Sequence, residues 1–156
     1  MKKLMSTLFV IAAAANMAVA GDKPDFSGSW KMDADKSTFG PMPPPTSMTC
    51  KISHKDPDLS IEQQQSGGAQ GDQTMTFKYS TDGKETTNSL MGNDVKSKAA
   101  WDGKVLVVKS SLDAGGTEVK LTSKYSLSDD GKTLTNTLSI SAPQGDFDLT
   151  YVLLKQ

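Results

Sequence analysis

Cys50 and His54 are the only thiol and the only imidazole in this 156-residue chain. Together they are the obvious candidates for nucleophilic chemistry. A thiol–imidazole pair needs hydrogen-bond contact, yet four residues along a strand place the two on one face ~13 Å apart. A single histidine and a single cysteine also preclude an intrachain disulfide and any site built on two imidazoles. Serine nucleophiles lack a setting, because the chain after residue 20 contains neither a Gly-x-Ser-x-Gly elbow nor a Ser-x-x-Lys dyad. Asp33-x-Asp35-x-Ser37 begins like a calcium loop, but Thr38 stands where that loop needs glycine and Pro44 where it needs a bidentate glutamate. That segment reads as the acidic end of a strand entering a turn. Glu62, Glu85 and Glu118 are candidates for a glycoside-hydrolase carboxylate pair, although alternation puts all three at exposed-type positions. The expectation is a protein with no catalytic residues, no metal ligands and no cofactor.

All 17 basic residues are lysine, so no guanidinium fork is present to clamp a carboxylate or phosphate. The formal charge of −1 gives no basic face for nucleic acid.

The N-terminal segment reads as a cleaved signal peptide over residues 1–20. Lys2 and Lys3 precede a mostly apolar run from Leu4 to Ala15, and Ala18-Val19-Ala20 supplies the small-x-small cleavage pattern. The run is too short to span ~30 Å of hydrocarbon comfortably, and Cys50 is far from the cleavage point, which leaves no residue for a lipid anchor. The expected product is a single domain, residues 21–156, exported to a periplasm or the extracellular space without a membrane span. Its oligomeric state is open. In an oxidising compartment Cys50 reads first as a small buried hydrophobe, with an intermolecular bridge or a free thiol as alternatives.

The elements that position everything else are strands. From Asp25 onward the chain alternates with a period of two, as in Phe26-x-Gly28-x-Trp30-x-Met32, Met48-x-Cys50-x-Ile52-x-His54 and Met75-x-Phe77-x-Tyr79. Val119, Leu121, Ser123, Tyr125 and Leu127 share a face opposite Glu118, Lys120, Thr122 and Lys124. Asp-Gly pairs at 82–83, 102–103 and 130–131 predict tight turns. Further breaks fall at Asp56-Pro57, 66–71, Gly92-Asn93, Gly115-Gly116 and 143–145. The fold class is therefore all-β, an antiparallel up-and-down meander of about 8–10 strands closed as a barrel or folded as a sandwich. The proline-rich stretch 41–45 cannot be a central strand. It reads as a stiff connection across one end of the barrel, with a proline-rich ligand for another protein as the alternative.

The inward face combines aromatics and methionines with a few polar residues, Gln63, Gln65, Ser97 and Asn136. Phe77, Tyr79, Trp101, Tyr125, Tyr151 and Gln63 are the candidate cavity-lining residues. An apolar lining with sparse polar groups suits a small-ligand cavity. It equally suits a filled barrel core, and periodicity does not separate the two.

Phe26-Ser27-Gly28-Ser29-Trp30-Lys31 resembles the opening strand of the lipocalin and fatty-acid-binding protein superfamily, with its Gly-x-Trp motif. Adding Asp35-Lys36-Ser37-x-Phe39-Gly40-Pro41, the proline-rich stretch and Asp130-Gly131-Lys132-Thr133-Leu134-Thr135, the pattern resembles a group of exported, largely uncharacterised bacterial lipocalin-like proteins. The resemblance implies a lipocalin-like barrel with Trp30 as a structural plug at one end. It departs from that superfamily in having no arginine to pack on the tryptophan or to bind a fatty-acid carboxylate, although Tyr151 lies in a suitable final strand. Pro41 to Pro45 stand where fatty-acid-binding proteins carry a helical lid. The functional expectation is a non-catalytic, lipid-binding type of carrier for a small hydrophobic or amphipathic ligand, its neutral polar end oriented by tyrosines and amides. The alternatives are an envelope or secreted interaction protein with a filled core and, third, a hydrolase with dispersed carboxylates.

Overall fold

A computed structural model describes residues 22–156; the expected signal segment lies outside the described residues. Ten antiparallel strands make one sheet: β1 (Gly28–Met32), β2 (Ser47–Lys55), β3 (Asp58–Ser66), β4 (Gln73–Ser80), β5 (Asp82–Leu90), β6 (Asn93–Asp102), β7 (Val105–Asp113), β8 (Glu118–Leu127), β9 (Thr133–Ala142) and β10 (Gly145–Lys155). A single 3-10 turn, Gly68–Gln70, interrupts them. The spatial order β4-β3-β2-β1-β10-β9-β8-β7-β6-β5 is a meander bent until its first and last strands meet. Trp30 of β1 pairs with Lys155 of β10. The result is a nearly closed lipocalin-like barrel whose remaining edges are β4 and β5.

That seam corrects one expectation. Asp82-Gly83 does not close a hairpin, because β4 and β5 are not ladder partners. Gly83, at φ 87°, instead sits where the β5–β6 register breaks between Asp82 and Glu85. The preceding residue is held elsewhere. Thr81 N–H donates to Pro57 O at 2.8 Å, and Thr81 Oγ1 donates to Asp56 Oδ1 at 2.6 Å. Across the seam one side chain substitutes for a ladder rung: Lys78 N–H donates to Asn88 Oδ1 at 2.7 Å, and Asn88 Nδ2 donates to Lys78 O at 3.0 Å. Asn88 is buried, and these two part-buried bonds satisfy backbone groups that the open seam leaves without a ladder partner.

The barrel has two unlike ends. At one end lie the β2–β3, β4–β5, β6–β7 and β8–β9 turns, and residues 22–27 run there before entering β1. Phe26, Trp30, Leu59, Leu106, Leu134 and Leu153, all 3% exposed or less, pack the barrel at this closed end. Trp30 donates its indole N–H to Phe26 O at 2.9 Å, which satisfies the one polar atom a buried tryptophan carries. Lys155 Nζ lies 5.6 Å above its ring. The long connection 33–46 and the turns after β3, β5, β7 and β9 form the opposite, open end.

Candidate functional site

Because successive inward residues step along each strand, register gives depth inside the barrel. On β3 the inward series runs Leu59, Ile61, Gln63, Gln65 from closed end to open end, and on β9 it runs Leu134, Asn136, Leu138, Ile140. The first members are packed. From Gln63 and Asn136 outward the same face borders a cavity of about 210 Å³.

Five of the six expected lining residues border it: Gln63 on β3, Phe77 and Tyr79 on β4, Tyr125 on β8 and Tyr151 on β10. Phe77 and Tyr79 stack with ring planes 2° apart. Trp101 is a correction. As the last inward residue of β6 before its turn, it lies at the closed end, 5.7 Å from the Phe26 ring and 5.9 Å from the His54 ring, outside the cavity lining. Gln65, Asn136 and Met75 also border the cavity, whereas Met32 and Met48 belong to the packed core. Ser97 is buried and bonded to Ser110 Oγ at 2.7 Å.

The connection 33–46 closes the open end. Met42, inside the proline-rich stretch, reaches the cavity, as does Gln70 from the 3-10 turn. The two loops are in close register: a Cβ on Gly68, which has φ 75°, would lie 3.1 Å from Pro45 Cα. Glycine is therefore required there both for its dihedral and for the approach of the strap.

Among the described residues no Lys, Asp or Glu borders the cavity. Burial pushes the Tyr79 and Tyr151 phenols above their ordinary range, and Tyr125 further still through burial and the neighbouring Tyr79 and Cys50. All three stay neutral and can donate as well as accept. Asn136 stands between two of them in register, opposite Tyr125 of β8 on one side and Tyr151 of β10 on the other. Its Oδ1 is the only buried side-chain polar atom among the described residues without a hydrogen-bond partner. Cys50 is buried outside this lining, and burial pushes its thiol pKa up to about 12.

The closed end holds a polar network that the periodicity gave no sign of. Phe26 N–H donates to His54 Nδ1 at 3.2 Å, so the neutral ring carries its proton on Nε2 and donates it to Asp56 Oδ1 at 3.1 Å. Asp56 also accepts from Thr81 and from Trp101 Nε1, the latter at 3.3 Å. Burial alone would raise its pKa; these hydrogen bonds and Lys23 outweigh it and hold the carboxylate at about 2. Both nitrogens of the imidazole are thus engaged in holding residues 22–27 and the turns together, which leaves neither free to act as a base. A lone histidine two residues before an Asp-Pro break was the available signal. The candidate carboxylates Glu62, Glu85 and Glu118 lie on strand positions outside the cavity lining. Asp33 and Ser37 are used in a turn: Asp35 N–H donates to Asp33 Oδ1 and Ser37 Oγ to Asp33 O. Among the described residues no three metal-ligating side chains converge.

No protein-family model matches the chain, and no curated protein matches it. Solved structures do. A secretory abundant heat soluble protein from Ramazzottius varieornatus superposes with a TM-score of 0.59 at 11% identity, covering 83% of this chain and 94% of that one. Zebrafish ileal bile acid-binding protein, complexed with cholic acid, gives 0.56 at 17% identity over 84% and 98%. A second heat soluble protein from Ramazzottius varieornatus gives 0.53 at 16% identity over 84% and 94%. At these identities the likeness is one of fold: the chain is an antiparallel, lipocalin-like β-barrel.

Proposed function

We propose that this is an exported, non-catalytic binding protein that carries a small hydrophobic or amphipathic molecule inside its barrel, in a periplasm or outside the cell. The observation that carries the reading is the cavity of about 210 Å³, bordered by aromatic, aliphatic and uncharged polar side chains. Its volume is at the low end for ligand pockets, which typically measure roughly 300–1,000 Å³, so the cargo is small or chain-like. A filled core would leave no such space. The cholic acid complex of the zebrafish barrel supports small-molecule binding by this architecture. Export rests on the sequence pattern of residues 1–20.

Native mass spectrometry of the protein purified from its own host, without detergent, tests both parts. The expected spectrum shows a chain beginning at Gly21 with an added mass that is lost on denaturation. A chain retaining residues 1–20 would remove the export reading. A bare polypeptide that also fails to take up the neutral apolar dye Nile red would remove the carrier reading.

A further inference from the structure

Granting that the cavity is a binding site, its polar groups restrict what the polar end of the ligand can be. Five of them lie at two levels. Gln65 and Gln70 are at the open end, beneath the strap, while Asn136, Tyr125 and Tyr151 form a row across β8, β9 and β10 next to the packed core. Between these levels the wall is mostly apolar and uncharged: Leu138 and Leu149 stand one inward step from the row, beside Ser123, and Leu121 and Ile140 lie beyond, beside Ser110.

We infer that the ligand enters head first and is uncharged, with a hydroxyl or other neutral hydrogen-donating group that satisfies Asn136 Oδ1 between the two tyrosines. The unpaired carbonyl oxygen is itself enclosed, so a turn of the Asn136 side chain, which borders the cavity, presents it to the ligand; it is an acceptor, and what completes it must donate. A carboxylate head only accepts, and it would arrive charged in a wall that offers no cation. Burying an ion without a partner is far more costly than burying a hydroxyl that finds one. The flanking phenols can in turn donate to the oxygen of the same head group, so an alcohol is matched in both directions. The apolar belt then receives its chain, which points towards the strap.

The experiment is displacement of Nile red by three probes of equal chain length: decanol, decanoate at pH 8, and decane. Decanol is expected to displace the dye at a concentration at least about tenfold below that of decanoate, the size of one well-made hydrogen bond or more. Asn136→Leu is expected to weaken decanol about tenfold, leave decane unchanged, and raise the melting temperature of the empty protein, because it removes a buried unpaired acceptor. If that variant does not fold, Asn136→Thr, a good strand former whose hydroxyl falls short of the carbonyl position, carries the same expectation for decanol and decane. Decanoate binding as tightly as decanol would overturn the inference, as would variants indifferent to the alcohol. In either case uptake of Nile red leaves the carrier reading standing. Absence of dye uptake by the unaltered protein would defeat both.

Discussion

The two halves of the barrel are written in the same alternation and built on the same strands, yet one is packed and the other hollow. On β9, Leu134 is fully buried among Trp30, Leu106 and Leu153, while Leu138, two inward steps further along, borders the cavity. On β3 the change falls between Ile61 and Gln63. Polar groups differ in the same sense. At the closed end the Trp30 indole, the His54 ring and Asp56 have all found partners, whereas the cavity half keeps one buried oxygen unpaired. Closing one end by packing lets the other stay open without loss of the fold. The cost of an unfilled, under-bonded interior is confined to the half where a ligand would offset it.

The strongest test of this division uses two leucines on one strand. Leu134→Ala should destabilise the protein by about 3–4 kcal/mol, through lost burial and the cavity it leaves. Leu138→Ala merely enlarges a space that already exists and should cost about 1–2 kcal/mol. Leu138→Phe should be tolerated while abolishing Nile red uptake, whereas Leu134→Phe overpacks and should cost about 1–3 kcal/mol. Urea titration of the four variants measures this, and equal costs at the two positions would erase the distinction between the halves.

A smaller effect is expected at the seam. Asn88→Ala leaves both backbone groups of Lys78 without their buried partner, a loss of about 2 kcal/mol. The change should be graded: amide exchange of Lys78, which loses its acceptor outright, should accelerate far more than that of Leu106 or Leu134, deep in the packed half, which follow only the loss of global stability. Uniform acceleration across the barrel would show that the seam is not an independent unit.

The sequence makes the strands legible because alternation, turn residues and the Gly28-x-Trp30 opening all point the same way, and the ten strands follow. It also indicates which side chains face inward. What it does not encode locally is depth. Trp101 and Tyr125 obey the same period and both stand opposite Leu106, yet Trp101 packs against the Phe26 and His54 rings at the closed end while Tyr125 reaches the cavity. Asp82-Gly83 shows the same limit. As a dipeptide it favours a hairpin, and only the hydrogen bonds from Thr81 to Asp56 and Pro57 explain why the strands on either side separate. Lys155 is a third case. Composition alone shows that no arginine can cover Trp30, and only the β1–β10 register reveals that the penultimate residue supplies a cation there.

Asp56 provides the smallest effect and the finest separation of the two halves. Its carboxylate is held at about 2 in the folded protein against roughly 3.9 in an unfolded chain. A depressed folded pKa contributes stability that is fully present above the unfolded value and is lost as pH falls through the folded one. The relevant window therefore runs from about pH 4 down to about pH 2. Because the side chain is 40% exposed, solvent screening reduces the contribution to about 1 kcal/mol. Asp56→Asn should be less stable than the unaltered protein by about that amount at neutral pH, with the gap closing as pH approaches 2. Subtracting the two pH profiles removes the contributions of Asp25, Asp82 and Asp130, whose carboxyls are also lowered by hydrogen bonds within their own turns. Nile red uptake by Asp56→Asn at neutral pH should be unchanged, because the network it loosens is at the packed end. If uptake falls with stability, the closed end does more than seal the barrel, and the hollow half depends on it for its shape.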